Sequence, residues 1–398
     1  MALQALCGAR IFTGEHALDG HAVLVDGARI LDVRPEADVP ARCARHDLPG
    51  GTLAPGFIDA QVNGGGGVLF NETRTAEGVA AIARAHARHG TTGLLPTFIS
   101  DRGDRRAEAV AAVRAAVAAG VPGVLGIHLE GPFLAPARKG AHDPGLIRPM
   151  ADADVEALLG TGLRTVLLTV AAEAVSPQQI RRLSEGGVIV SLGHSDAPYE
   201  AAAAAADAGA RGVTHLFNAM SQLGHRAPGL VGATLDHSGL WAGLIADGHH
   251  VHPAALRVAL RAKRGPARLF LVSDAMPPAG SGDDTFMLGG RVVRRHDGRL
   301  TLADGTLAGS DLTMDRAVRF AVEQLHQPLA EALRMASLYP AQFLRLDATR
   351  GRIAPGFAAD MVLLDNGLSV RGVWIDGAAV SFGDVRPLVP RDRAEGDA

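Results

Sequence analysis

Hydrophobic and polar positions change rhythm twice along the chain. Up to residue 51 they alternate in short runs, LQALCGARIF and HAVLVDGARILDV, and Val23–Leu24–Val25 ahead of Asp26–Gly27 predicts a hairpin. From Thr52 the apolar runs take turns with Ala-rich or amphipathic stretches. LAPGFIDAQV, TGLLPTFI, VLGIHLEG, RTVLLTV, VIVSLGH, VTHLFNAM, LWAGLIAD and ARLFLVSDAM are eight strand candidates. Between them the patterning predicts helices over 76–89, 105–119, 153–159, 176–185, 199–207 and 253–264. Ser176 is the expected N-cap of the fourth, with Pro177 at its first position. A further segment lies around 230–236. After the eighth strand, FMLGGRVVRRHDGRLTLADG reads as an inserted hairpin, followed by helices over 310–325 and 329–338. From Gly351 the short strands return.

A strand followed by a helix or loop, eight times over roughly 220 residues, fits a (β/α)₈ barrel. The expected fold class is therefore α/β: a (β/α)₈ TIM barrel over 52–346, with a small flanking β-sandwich domain built from both termini, residues 1–51 and 347–385. Residues 386–398 are expected to form a loose, charged tail. A doubly wound open sheet shares the alternation, but no Gly-rich dinucleotide turn opens a helix here. Gly64–Gly67 lacks that fingerprint and reads either as a flexible active-site loop or as a plain turn.

Composition narrows the class of protein. A chain of 398 residues, 47 % of them hydrophobic, can bury one large core with a small domain beside it. A formal charge of −3 gives no reason to expect nucleic acid. No stretch approaches a membrane span, and MALQALCGARIF lacks the unbroken apolar core of a signal peptide. Cys7 and Cys43 are too few for a disulfide framework and are not spaced as a metal pair. These features suggest a reduced, cytoplasmic enzyme.

The chemistry of such a barrel sits at the C-terminal ends of its strands. Strand one ends in Asp59, Gln61 and Asn63, and strand three in His128 and Glu130. Strands five and six end in His194 and His215, strand seven in Asp247, and strand eight in Asp274. The β-α-β unit over 188–220 places His194 and His215 at the ends of consecutive parallel strands, and therefore side by side. A lone histidine is more often a hydrogen-bonded surface or core residue than a ligand. Two at matching strand ends, with a carboxylate that is costly to bury unpaired, change that balance. Glu130, His194 and His215 supply two nitrogens and one oxygen with a position left open, the donor set of a catalytic zinc-type site. Asp274 could simply cap a turn. Opposite an activated water it becomes a general base, and later the acid to a leaving nitrogen.

GFIDAQVNG, HLEGPF, KGAH, SLGHSDA, THLFNAM, PGLVGA, IADGHH, SDAM, LAGSDLTM and the closing GRIAPGFAAD together resemble the N-acetylglucosamine-6-phosphate deacetylase family of the amidohydrolase superfamily, in order along nearly the whole chain. The resemblance implies removal of acetate from N-acetylglucosamine 6-phosphate by a metal-dependent barrel acting as a homodimer. It assigns Glu130, His194 and His215 as metal ligands and Asp274 as the acid/base, in agreement with the strand ends. It also implies a substrate site made of Ala141, His142, Asn218, Ala219, Arg226, Asp247, His250, Leu307, Ala308 and Gly309. Within it, His142 would polarise the acetamide oxygen, and Arg226 and His250 would read the phosphate, Arg226 in the neighbouring subunit's site. His225, His249 and His252 read as surface residues.

Two departures from the wider superfamily matter. Where many members carry His-x-His, this chain has Asp59–Ala60–Gln61. Strand four ends in Ala171–Ala172–Glu173 without a bridging lysine, and the two lysines, Lys139 and Lys263, fall in a loop and a helix. One divalent ion per subunit is therefore expected, Zn²⁺ ahead of Fe²⁺, Co²⁺ or Mn²⁺. The competing readings are a deacetylase of N-acetylgalactosamine 6-phosphate, a cyclic-amide hydrolase, and a barrel that has lost its chemistry. The four residues at the strand ends argue against the last.

Overall fold

In the computed structural model, which describes residues 3–381, eight parallel strands follow one another around a single sheet. They are β1 (Phe57–Val62), β2 (Thr91–Ile99), β3 (Ile127–Glu130), β4 (Val166–Val170), β5 (Ile189–Leu192), β6 (Gly212–Val213), β7 (Trp241–Ile245) and β8 (Leu269–Val272). Spatial neighbours are sequence neighbours throughout, whereas a doubly wound sheet would reverse its order part-way. A parallel bridge between Val62 and Ala275 brings β8 back to β1. Hydrogen bonds from Asp274 N–H to the Gln61 carbonyl (2.9 Å) and from Asn63 N–H to the Ala275 carbonyl (2.8 Å) continue the seam. The barrel is nearly closed.

Each strand has its helix: α1 (Ala76–Ala87), α2 (Gly103–Ala118), α3 (Asp152–Leu159), α4 (Pro177–Glu185), α5 (Tyr199–Asp207), α6 (Gly229–Asp236), α7 (Pro253–Ala262) and α8 (Met314–Glu323). Local chemistry starts several of them. The Ser176 hydroxyl accepts from Gln179 N–H (3.2 Å) while the Gln179 side chain accepts from Ser176 N–H (3.0 Å), a capping box ahead of Pro177. Pro198 stands at the N-cap of α5, immediately before its first helical residue, Tyr199.

The strand candidate LAPGFIDAQV divides at Gly56. A Cβ there would meet Thr92 Oγ1 at 2.1 Å, so only glycine lets the chain pass. After Gly56 the chain enters the barrel. Before it, Thr52–Pro55 belongs to a six-stranded sheet with Arg10–Phe12, Ala17–Leu18, Met361–Leu364, Val370–Ile375 and Ala378–Ala379. A four-stranded sheet of Gln4–Cys7, His21–Asp26, Arg29–Pro35 and Ala44–Asp47 packs on it. Leu6, Val23, Val25 and Ile30 of the smaller sheet meet Ile11, Leu53, Met361, Leu363 and Trp374 of the larger in one core. The expected tail, 386–398, lies outside the described residues, as do positions 382–385 of the flanking segment.

Two segments differ from the sequence reading. The inserted hairpin is a four-stranded antiparallel meander: Thr285–Leu288, Arg291–His296, Arg299–Thr301 and Leu307–Ser310. Its last strand was hidden because apolar spacing runs on from Leu307 into α8, which begins only after Thr313. Ser310 N–H bonds the Asp274 carbonyl (2.9 Å), and Met276 N–H bonds the Ser310 carbonyl (2.9 Å), so this strand docks beside the end of β8. Gly64–Gly67 is an ordered turn in which Gly64–Gly65 pairs with Val68–Leu69. Gly66 and Gly67 N–H bond the carbonyls of Ala279 and Pro277. Among the described residues no helix is long and apolar enough to cross a membrane.

Asp59 secures the seam from inside. Its Oδ1 accepts from Gln61 N–H (3.2 Å) and from Ser273 N–H (3.1 Å), joining β1 to the end of β8. Burial pushes its carboxyl up to about 7, against those hydrogen bonds. Asp59→Ala strands two buried donors at about 1–3 kcal/mol each, whereas Asp59→Asn keeps the acceptor. Chemical denaturation of the metal-free protein should show the alanine variant about 2–4 kcal/mol less stable and the asparagine variant less than half as affected. An alanine variant within about 0.5 kcal/mol of the natural chain would mean that the seam is held elsewhere.

Candidate active site

Three of the residues at the mouth of the barrel share one local conformation. His194, His215 and Asp274 each stand two places beyond the last residue of their strand, and each has a positive φ: 47°, 34° and 53°. A non-glycine residue held there costs roughly 1–3 kcal/mol, and such strain gathers at functional sites. The turn swings both imidazoles toward Glu130, the last residue of β3. Glu130 Oε1 lies 3.1 Å from Nε2 of His194 and of His215, and those two nitrogens are 3.1 Å apart. Donors bonded tetrahedrally to one ion at ~2.0–2.1 Å stand about 3.3 Å from one another. The triangle already has those dimensions.

Electrostatics and outer contacts agree with a cation site. Burial would raise the Glu130 carboxyl, but hydrogen bonds from His194 and His215 outweigh it and hold the group well below the usual carboxylate range. Burial lowers His215, and Glu130 outweighs that to raise it. His194 Nδ1 lies 2.8 Å from the Arg138 carbonyl, a donor's position that leaves Nε2 free as a ligand. The Ser195 hydroxyl donates to Glu173 Oε2 (2.5 Å) and Asp196 N–H to Glu173 Oε1 (2.6 Å), so a carboxylate in the loop after β4 fixes the His194 turn. These three buried side chains can hold a divalent metal.

Asp274 adjoins the triangle. Its Oδ1 accepts from Gln61 Nε2 (3.0 Å) and Asn63 Nδ2 (2.6 Å), which leaves Oδ2 for proton transfer. Gln61 Nε2 also lies 3.2 Å from Glu130 Oε2, tying the two carboxylates together. Burial, then the charge of Glu130, raises the Asp274 carboxyl to about 6. A divalent cation on the triangle acts in the opposite direction. His142 sits across the site, edge-to-face on His194 with ring centroids 4.5 Å apart, and burial pushes it down to about 3, so it is neutral at pH 7. Glu130, His142, His194, His215, Asn63 and Asp274 open into a cleft of about 350 Å³.

Residues 52–380 match the amidohydrolase family, and residues 3–53 match the NagA composite domain. The chain belongs to the amidohydrolase family. It is 42 % identical over 375 residues to an N-acetylgalactosamine-6-phosphate deacetylase of Shewanella sp. (strain ANA-3), covering 93 % of this chain and 94 % of that one. It is 40 % identical over 402 residues to the N-acetylglucosamine-6-phosphate deacetylase of Homo sapiens, covering 95 % and 97 %. Among solved structures it is similar to a variant of N-acetyl-D-glucosamine-6-phosphate deacetylase from Mycobacterium smegmatis in complex with N-acetyl-D-glucosamine-6-phosphate. That pair has a TM-score of 0.88 and 33 % identity, covering 96 % of this chain and 100 % of the other.

In this amidohydrolase the cleft gathers Ala141, His142, Asn218, Ala219, His250, Leu307 and Gly309 around Glu130, His194, His215 and Asp274. Three positions expected to contact substrate do not line it. Ala308 is fully buried and packs under the meander with Leu288, Val293 and Leu300. Asp247 stands behind His250: its Oδ2 is 2.6 Å from His250 Nδ1, and its Oδ1 accepts from the His249 and His250 N–H groups (2.8 and 2.9 Å). Arg226 is exposed on the loop before α6. His249 accepts from Arg299 Nε (3.1 Å), and His252 caps α7 through Ala254 N–H (3.2 Å).

Sequence reasoning assigned no role to Gln61, Asn63, Arg138, Glu173 or Ser100. For the first two the signal was present, since Asp59, Gln61 and Asn63 alternate along β1 and its first residue beyond. The others act from loops, where periodicity is silent.

His194→Ala and His215→Ala should each strip bound metal, because an open three-ligand site cannot spare a donor. Metal analysis of protein purified without added metal checks this, and full occupancy in either variant would mean that the wrong histidines were chosen.

Proposed function

We propose that this chain hydrolyses the acetamide of N-acetylglucosamine 6-phosphate, releasing acetate and glucosamine 6-phosphate, with one divalent ion held by Glu130, His194 and His215. The observation that carries the reading is Asp274 tied through Gln61 to the metal-binding carboxylate, facing one cleft in a chain whose relatives are named for this chemistry. Zn²⁺ suits the two-nitrogen, one-oxygen donor set, which Fe²⁺, Co²⁺ and Mn²⁺ can share.

The bound ion supplies Lewis acidity toward the acetamide oxygen and lowers the pKa of a water to about 7. The protein does the rest. Asp274 takes the proton of the attacking water on Oδ2 and returns it to the amide nitrogen as the C–N bond breaks. His142, neutral, donates a hydrogen bond to the oxygen where negative charge develops. Asn218, Ala219, Ala141, Leu307 and Gly309 shape the sugar pocket, with Ala308 anchoring the meander strand. Asp247 orients His250 toward the substrate. Arg226 is proposed to read the 6-phosphate across a homodimer interface, a role compatible with its exposure and its absence from its own chain's cleft.

The 42 % identity to the Shewanella protein favours N-acetylgalactosamine 6-phosphate as the second reading. Steady-state acetate release from both epimers decides: kcat/KM should be higher for the gluco sugar. A reversed ratio transfers the assignment, and no acetate from either sugar removes the deacetylase reading.

Arg226→Ala should raise KM steeply for the phosphorylated sugar, through loss of a charge-assisted contact, and matter little for unphosphorylated N-acetylglucosamine. Equal losses on both sugars would give Arg226 a role in folding and none in phosphate recognition. Asp274→Asn keeps size and shape but cannot carry the proton. Metal content and substrate binding should survive while kcat falls by roughly 10²–10⁴-fold. Turnover within about tenfold of the natural enzyme would place acid–base catalysis on another group.

A further inference from the structure

His142 can serve a developing oxyanion only if the ring nitrogen facing the cleft carries the proton. A neutral imidazole has one N–H, and the partner of its other nitrogen decides which. We infer that Ser100 is the positioning residue that sets this: its hydroxyl donates to His142 Nδ1 and so keeps the proton on Nε2. The catalytic consequence rests on the deacetylase reading, whereas the tautomer does not.

Ser100 follows directly on β2 and is buried. Its Oγ lies 2.8 Å from His142 Nδ1 and 3.5 Å from the Glu130 carbonyl. The hydroxyl has one proton and two places to send it. Sent to the Glu130 carbonyl, it would make His142 the donor to Ser100 and leave a bare lone pair on Nε2, facing the negative charge that forms during attack. Sent to Nδ1, it leaves Nε2–H facing the cleft. The Oγ–Nδ1 distance is the same whichever atom donates, so the carbonyl decides: at 3.5 Å it stands at the outer limit of an acceptor, and Nδ1 is the better-placed one for the hydroxyl proton.

The local backbone is cut to fit this hydroxyl. Gly131, next to Glu130, has φ +86°, and a Cβ there would stand 2.3 Å from Ser100 Oγ. A side chain at that position would displace the hydroxyl. The ring is held on its other side by edge-to-face packing on His194, so its plane is set independently of Ser100. What the hydroxyl adds is the choice of tautomer.

The test uses zinc-loaded protein labelled with ¹⁵N-histidine, with the His142 signals identified by their loss in His142→Gln. In the natural protein the spectrum should show the proton on Nε2 of His142, and in Ser100→Ala a mixture of the two tautomers. Ser100→Ala should keep its metal and hold KM within about threefold, while kcat falls about tenfold. Ser100→Thr, which retains the hydroxyl, should recover kcat to within about threefold. A proton on Nδ1 in the natural protein overturns the inference, whatever the variants do. So does an alanine variant with unchanged kcat, or a threonine variant no better than alanine. A protein that shows Nε2–H at His142 but releases no acetate from either sugar phosphate would sink the functional proposal alone.

Discussion

A carboxylate as deeply buried as Glu130 survives as an anion only among partners, since moving an isolated charge out of water costs several kcal/mol even after relaxation. Here the partners are His194 and His215, each 3.1 Å away, and the Gln61 amide. That requirement reaches far into the fold. It needs three barrel strands to end at one level. It needs two histidines in a left-handed backbone conformation, and loops from elsewhere to hold the rings in place. Arg138 supplies a carbonyl to His194, and Glu173 anchors the turn that carries it. The two Nε2 atoms face each other at 3.1 Å, and a shared cation bound by both lone pairs would satisfy them and the carboxylate together.

Around this cluster the protein separates rigid chemistry from variable recognition. The metal-binding triangle and Asp274 stand on or just beyond barrel strands, which fix their spacing. The cleft walls come from loops: 137–142 after β3, 218–219 after β6, and the strand Leu307–Ser310 from the meander after β8. Arg291 of the meander donates to the Ala141 carbonyl, and a Cβ at Gly140 would stand only 3.2 Å from the His194 ring, so the inserted sheet holds the 137–142 loop close against the site. Such walls can change without disturbing the centre.

Much of this was legible without coordinates. Eight alternations of apolar run and helix point to the barrel because period and count are properties of the chain. The paired strand ends bring His194 and His215 together because consecutive parallel strands are neighbours. Less legible were boundaries set by contacts. The division at Gly56 depends on Thr92 packing from the next strand. The meander's last strand pairs with Asp274 and Met276, far off in sequence.

The sequence by itself determined the barrel, the end of it that carries chemistry, and the donor set, since each follows from local pattern and chain connectivity. Only the tertiary structure decided which side chains complete that set. Gln61 and Asn63 hold Asp274, Glu173 holds the His194 turn, Ser100 meets His142, and Asp247 stands behind His250 and outside the cleft. The physical reason is that a hydrogen bond depends on distances of a few tenths of an ångström between residues far apart in the chain. Hydrophobic periodicity carries information about faces and ends, but none at that scale.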